Sequence, residues 1–298
     1  MVRERGGGGD IIVFDNIVSP HAQTTLSLRK VLTYLNYENE KDIEKVYSYG
    51  NMISIFNLAK YTTFWISNQM DRNNGIVGTI ASFASYNDFV SRYKQTFDDV
   101  FFDEKVLASL DRMSDKKTRK NMYVIHMMGS HASYGSRYPK NYQFFNDSLF
   151  GGKQRTISRY DNSVLYNDYV ISEIFQRFSN SDSIVIYISD HGEELYENGD
   201  FLGHSDDRIS RYMVEIPMLV FCSKIFIEKH PIIYQQLIKN RKTPYMTDDL
   251  IHMVLDIAGI NTSSYDATRS LINKDFNSKR IRMVGGIQGK DYDRVLRQ

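Results

Sequence analysis

Four short apolar runs in this chain each stop at a cluster of polar side chains, and this pattern constrains the fold more than any other feature. Residues 10–18 lead into Ser19-Pro-His-Ala-Gln-Thr-Thr25, and residues 62–67 into Asn68-Gln69. Residues 122–128 lead into Gly129-Ser-His131, and residues 183–188 into Ser189-Asp-His-Gly-Glu-Glu194. Each run has the length and the β-branched or aromatic content of a strand. Segments with helical spacing lie between and after them, at residues 24–34, 54–61, 97–112, 158–178 and 247–258. Thr247 is the expected N-cap of the last and Gly259 its C-cap. Further strands are expected at residues 215–222, where Pro217 sits near the start and its missing donor is tolerated, and at 280–284. This alternation predicts an α/β fold with a mostly parallel central sheet flanked by helices. Ligands of such sheets gather beyond the carboxyl ends of the strands, so the four clusters predict one shared site.

Bulk properties narrow the function classes. The 298 residues carry a net charge of +1, so there is no broad positive footprint for nucleic acid. No apolar run approaches the ~18–20 residues of a membrane-spanning helix. Residues 1–9 end in four glycines and lack the apolar core of a signal peptide, so they read as a flexible leader. Residues 10–298 read as one catalytic domain. The single cysteine, Cys222, lies in an apolar run and is expected to be a buried, inert thiol. It can form no intrachain disulfide and gives no sign of an oxidising compartment.

The polar clusters suggest metal-assisted ester chemistry. Asp190 and His191 can offer an oxygen and an imidazole nitrogen to one cation. That donor pair suits zinc better than magnesium, which favours oxygen alone. The plainer alternative has Asp190 capping a turn above a packed His191. Thr24 or Thr25 is the candidate nucleophile, a hydroxyl at a helix N-terminus that a metal could activate. Both could instead be simple N-caps. Ser19 and His21 are rival reactive residues. His131 and His204 could hold a phosphoryl oxygen or protonate a leaving group, or be solvated loop histidines. Asn68 and Gln69 could orient a headgroup or fasten a loop. His126, inside an apolar run, reads as a core residue.

Taken together, the motifs resemble the phosphoethanolamine transferases of Gram-negative envelopes, within the alkaline phosphatase and sulfatase superfamily. The segments that carry the resemblance are Ser19-Pro-His-Ala-Gln-Thr-Thr-Leu-Ser-Leu28, Trp65-Ile-Ser-Asn-Gln69, His126-Met-Met-Gly-Ser-His131 and Tyr138-Pro139. They continue with Tyr160-Asp-Asn162, Tyr166-Asn-Asp168, Ser189-Asp-His-Gly-Glu-Glu194, Glu197-Asn-Gly199 and Gly203-His204. They occur in the family's order and span about residues 10–290. The resemblance implies an alkaline phosphatase/sulfatase-like fold and a Zn2+ cofactor. It implies Thr24 as nucleophile and metal-binding residue, Asp190 and His191 as zinc ligands, and His131 and His204 as substrate-phosphate or accessory-metal residues. Asn68 and Gln69 align with a headgroup site.

The implied reaction is ping-pong. Phosphatidylethanolamine would load Thr24, and lipid A, core oligosaccharide or another envelope acceptor would receive the headgroup. Such lipopolysaccharide modification is tied to polymyxin resistance and takes place at the periplasmic face of the inner membrane, where the family is anchored by N-terminal helices. Three departures stand out. The family carries a Gly-Glu-Ser/Thr segment on its first core strand, whose glutamate completes the zinc site. Nothing ahead of Thr24 matches it, and Glu4 is a poor substitute, so the expectation is a missing first strand and weak zinc binding. No membrane helices are seen here. Pro20 and Lys30 stand where many members have a disulfide pair, which fits a disulfide-poor subgroup. The rival expectations are a phosphoglycerol transferase, a sulfatase-like hydrolase or an inactive truncated domain. Ser19-Pro20 lacks the spacing of a formylglycine sulfatase motif.

Overall fold

Each apolar run that ends in a polar cluster contains strand, though the run over residues 10–18 is split into two. In chain order the computed structural model contains β1 (Gly9–Phe14), β2 (Ile17–Val18), α1 (Thr24–Val31), α2 (Met52–Leu58), β3 (Thr62–Ser67), α3 (Gly75–Ser82), β4 (Tyr86–Phe89), α4 (Lys105–Arg112), β5 (Asn121–His126) and α5 (Gly152–Phe178). It continues with β6 (Ile184–Ile188), β7 (Glu194–Leu195), β8 (Leu202–Gly203), β9 (Met218–Ser223), α6 (Lys224–Lys229), α7 (Pro231–Asn240), β10 (Tyr245–Met246), α8 (Leu250–Ala258), β11 (Met283–Val284) and β12 (Lys290–Asp291). The structure describes residues 8–40, 50–69, 75–90, 102–149, 151–286 and 289–297. Part of the helix expected at 97–112 lies outside these residues. Its described portion is α4.

The chain forms two units, one built on residues 56–177 and the other on residues 8–55 and 178–297. The first contains the sheet β4–β3–β5, parallel throughout. Its central strand is apolar on both faces, and Phe64, Trp65 and Ile66 are buried, as a covered parallel strand requires. At the strand ends Asp103 is fully enclosed. Its carboxylate accepts from the Asn68 amide at 2.9 Å, Met128 N at 2.8 Å and Gly129 N at 2.7 Å. Burial pushes its pKa up against those donors.

In the second unit β9 runs antiparallel to both its neighbours, β1 and β6. The mostly parallel arrangement expected from strand–helix alternation therefore describes the first sheet and not this one. The connection from β6 to β9 holds the β7–β8 hairpin and 3-10 turns, with no crossover helix of the kind that carries a chain back to a parallel strand. The strand expected over residues 10–18 breaks at Asp15-Asn16, and β2 pairs instead with β10. Thr247 opens a 3-10 turn ahead of α8 and provides no side-chain cap, while Gly259 closes α8 at φ 65° as expected. Cys222 is completely buried, and burial pushes its thiol up to about 12. Among the described residues no helix is long and apolar enough to cross a membrane.

Candidate active site

Thr24 is the first residue of α1. Gln23, in extended conformation, precedes it, and no side chain caps the helix. Neither threonine is therefore an N-cap, and the Thr24 hydroxyl is available for something else. It lies 3.2 Å from His191 Nε2. Thr25 is exposed.

His191 reaches that position because of the turn after β6. Gly192 N donates to the Met213 carbonyl at 2.8 Å. A Cβ at Gly192 would sit 2.2 Å from the Tyr212 carbonyl oxygen, so only glycine allows this approach. His191 Nδ1 lies 3.0 Å from the Gly192 carbonyl. A carbonyl only accepts, so Nδ1 carries a proton, and in the neutral ring Nε2 is the nitrogen that offers its lone pair. Asp190 Oδ2 stands 3.6 Å from the same Nε2. In a tetrahedral zinc site with bonds of ~2.0–2.2 Å, neighbouring donors lie roughly 3.3–3.5 Å apart. The spacings of 3.2 and 3.6 Å around Nε2 fit that geometry. The donor set of hydroxyl, carboxylate and oriented imidazole suits the same metal.

The β7–β8 hairpin, paired Glu194 to Gly203, returns the chain so that His204 lies against His191, with ring centroids 3.9 Å apart. Glu193 Oε1 is 3.0 Å from His204 Nδ1. That hydrogen bond, opposed by burial, raises the His204 pKa above its usual value. His191, Glu193 and His204 also each offer a ligand atom within 4.8 Å of one another. Glu193 favours the protonated form of His204, which can donate a hydrogen bond. Glu194 does a different job. It is buried and accepts from Asn198 at 3.0 Å and Ser210 at 2.5 Å, which fastens the hairpin.

Sequence reasoning missed the role of Glu193, since two adjacent glutamates carry no mark of which one turns inward. It also missed a pair of serines. Ser27 Oγ donates to the Asp190 carbonyl at 2.6 Å, and Ser19 Oγ contacts the same oxygen while lying 3.1 Å from Ser27 Oγ. Ser19 is fully buried and serves as a strut rather than a nucleophile. His21 is likewise enclosed, with Nδ1 2.7 Å from Asp206 Oδ2, while Asp206 Oδ1 accepts from Ala22 N at 2.7 Å.

The remaining predicted residues belong to the first unit. Asn68 gives its amide to Asp103, and Gln69 Nε2 donates to the Met127 carbonyl at 2.9 Å, so both fasten the strand-end loop. His131 lies on an exposed loop whose carbonyls are held by Arg137 Nε at 3.1 Å.

Known proteins are similar to this chain in sequence and in fold. The phosphoethanolamine transferase EptC of Escherichia coli K12 is 29% identical over 301 residues, covering 95% of this chain and 51% of that protein. CptA, a phosphoethanolamine transferase of Salmonella typhimurium LT2, gives 29% identity over 300 residues with the same coverage. The crystal structure of the C-terminal periplasmic domain of E. coli EptC in complex with Zn superimposes with a TM-score of 0.85 at 28% identity, covering 96% of this chain and 83% of that one. The chain spans about half the length of the curated relatives it matches. The sulfatase family pattern matches residues 9–260, which contain Thr24, Asp190, His191 and His204, and the chain belongs to the sulfatase family.

Proposed function

We propose that residues 10–298 form the catalytic domain of a zinc-dependent phosphoethanolamine transferase, working on the periplasmic side of the envelope. The observation that carries this reading is the Thr24 hydroxyl 3.2 Å from Nε2 of His191, beside Asp190. Thr24 Oγ1, Asp190 and His191 would hold the zinc. When bound, zinc lowers the pKa of the threonine hydroxyl and draws off negative charge at phosphorus.

Thr24 Oγ1 loses its proton to solvent as it attacks the phosphorus of phosphatidylethanolamine. Its bond to the diacylglycerol oxygen breaks, and phosphoethanolamine remains on the threonine. His204, kept protonated by Glu193, donates to a phosphoryl oxygen or supplies the proton the departing alcohol needs. An acceptor hydroxyl or phosphate of lipid A, core oligosaccharide or another envelope component then takes the group from Thr24 and frees it. In the first unit, His131, Asn68 and Gln69 are proposed as residues that meet substrate.

Intact-mass analysis tests the covalent step. After incubation with zinc and phosphatidylethanolamine, the chain gains one phosphoethanolamine, mapped to Thr24, and Thr24→Ala gains none. Equal labelling of both proteins rules out Thr24 as nucleophile. A phosphoglycerol adduct formed only from phosphatidylglycerol assigns the chain to the rival transferase class.

A further inference from the structure

The first unit presents an apolar tip that its own fold leaves in water. Phe144 is 77% exposed, Leu149 73% and Phe145 42%. Large apolar side chains scattered singly need no explanation, but here three are exposed within six positions of one another in the chain. The backbone beneath them is held firmly. Asn162, buried on α5, accepts from Phe145 N at 2.8 Å and donates to the Phe145 carbonyl at 2.7 Å. Asp147 is buried and bound by Arg159 and Gln143. The two phenyl rings pack edge to face at 5.4 Å. Polar anchors turn inward and apolar side chains outward, the reverse of an ordinary surface loop.

The charge of the segment that carries these side chains is one-sided. Between His131 and Tyr160 the basic residues are Arg137, Lys140, Lys153, Arg155 and Arg159, and the one acidic residue is the buried Asp147. The whole chain, by contrast, carries +1. Lys140, Lys153 and Arg155 are exposed. Aromatic and aliphatic side chains beside basic ones are the signature of a segment that inserts shallowly into a lipid surface while cations meet anionic headgroups.

We infer that Phe144, Phe145 and Leu149, flanked by Lys140 and Lys153, dock the first unit onto an anionic bilayer. The rings and the leucine enter the interface, and the lysines stay at headgroup level. The inference stands beside the proposed transfer chemistry without depending on it, because vesicle binding is read with no turnover.

Flotation with extruded vesicles tests it, using the 298-residue chain. The expected result is binding to vesicles of phosphatidylethanolamine and phosphatidylglycerol and much weaker binding to pure phosphatidylcholine. Phe144→Ser combined with Leu149→Ser lowers the affinity on the order of tenfold or more. Lys140→Gln combined with Lys153→Gln lowers it on anionic vesicles only, and added salt has the same effect. The substituted positions are exposed, and circular dichroism melting checks that the fold is kept. A chain that fails to float with anionic vesicles, or variants that float as wild type does, would overturn the inference. So would sedimentation showing a lipid-free dimer that Phe144→Ser dissolves, since these side chains would then meet a second copy.

Discussion

The Ser27 hydroxyl donates across 2.6 Å to the main-chain carbonyl of Asp190. Ser27 lies one turn along α1 from Thr24, so the helix that carries the hydroxyl is fastened to the turn that carries Asp190 and His191. Ser19 contacts the same carbonyl from β2's end. Replacing Ser27 with Ala leaves Ser19 as the remaining partner and is expected to cost about 1 kcal/mol. Adding Ser19→Ala strands a buried acceptor and raises the loss to ~2–3 kcal/mol, with weaker zinc binding. Urea unfolding and zinc titration measure both effects. A double variant as stable as the single one would show that the pair fastens nothing.

Glu193 is expected to hold the proton on His204. The folded pKa of His204 is raised above 6.5, with the Glu193 hydrogen bond as its leading cause. The pair's contribution to stability is therefore complete below pH ~6.5 and is lost as pH rises through the folded pKa. In metal-free protein, Glu193→Gln should move the His204 titration, followed by NMR, toward lower pH. An unchanged titration curve would assign the raised pKa to some other neighbour.

Lys30 is completely buried, with its Nζ 2.8 Å from Glu40 Oε2. Lys30→Met leaves an uncompensated carboxylate inside the unit, at an expected cost of ~3–5 kcal/mol. Lys30→Met with Glu40→Leu removes both charges and should recover most of the loss. Equal destabilisation of the single and double variants in denaturant melts would contradict this account.

Acid sensitivity should trace in part to His252. Burial lowers its pKa from 6.5 to about 4, and its Nδ1 accepts from Asp266 N at 3.1 Å. Below pH 6.5 the unfolded chain takes up a proton that the folded chain refuses, so stability falls as pH drops from 6.5 toward 4. The full effect is about 3 kcal/mol. His252→Asn should flatten that part of the stability–pH curve, and an identical slope in both proteins would argue against the histidine.

Local sequence determined the strands and their polar ends, because apolar periodicity and turn residues act over a few neighbouring positions, while the grouping of Thr24 with Asp190 and His191 was implied only by the family resemblance. Several consequential facts needed the tertiary structure. Glu193 and Glu194 look alike in the chain, yet one meets His204 and the other ties down a hairpin. Ser19 reads as a rival nucleophile and proves to be a buried strut. The antiparallel course of β9 and the outward set of Phe144 over an inward Asn162 clamp were equally invisible. The physical reason is the same in each case. Which atom a side chain faces, and so its proton, its partner and its exposure, depends on contacts between residues far apart in the chain, such as Thr24 and His191. Those contacts exist only once the backbone has closed around them.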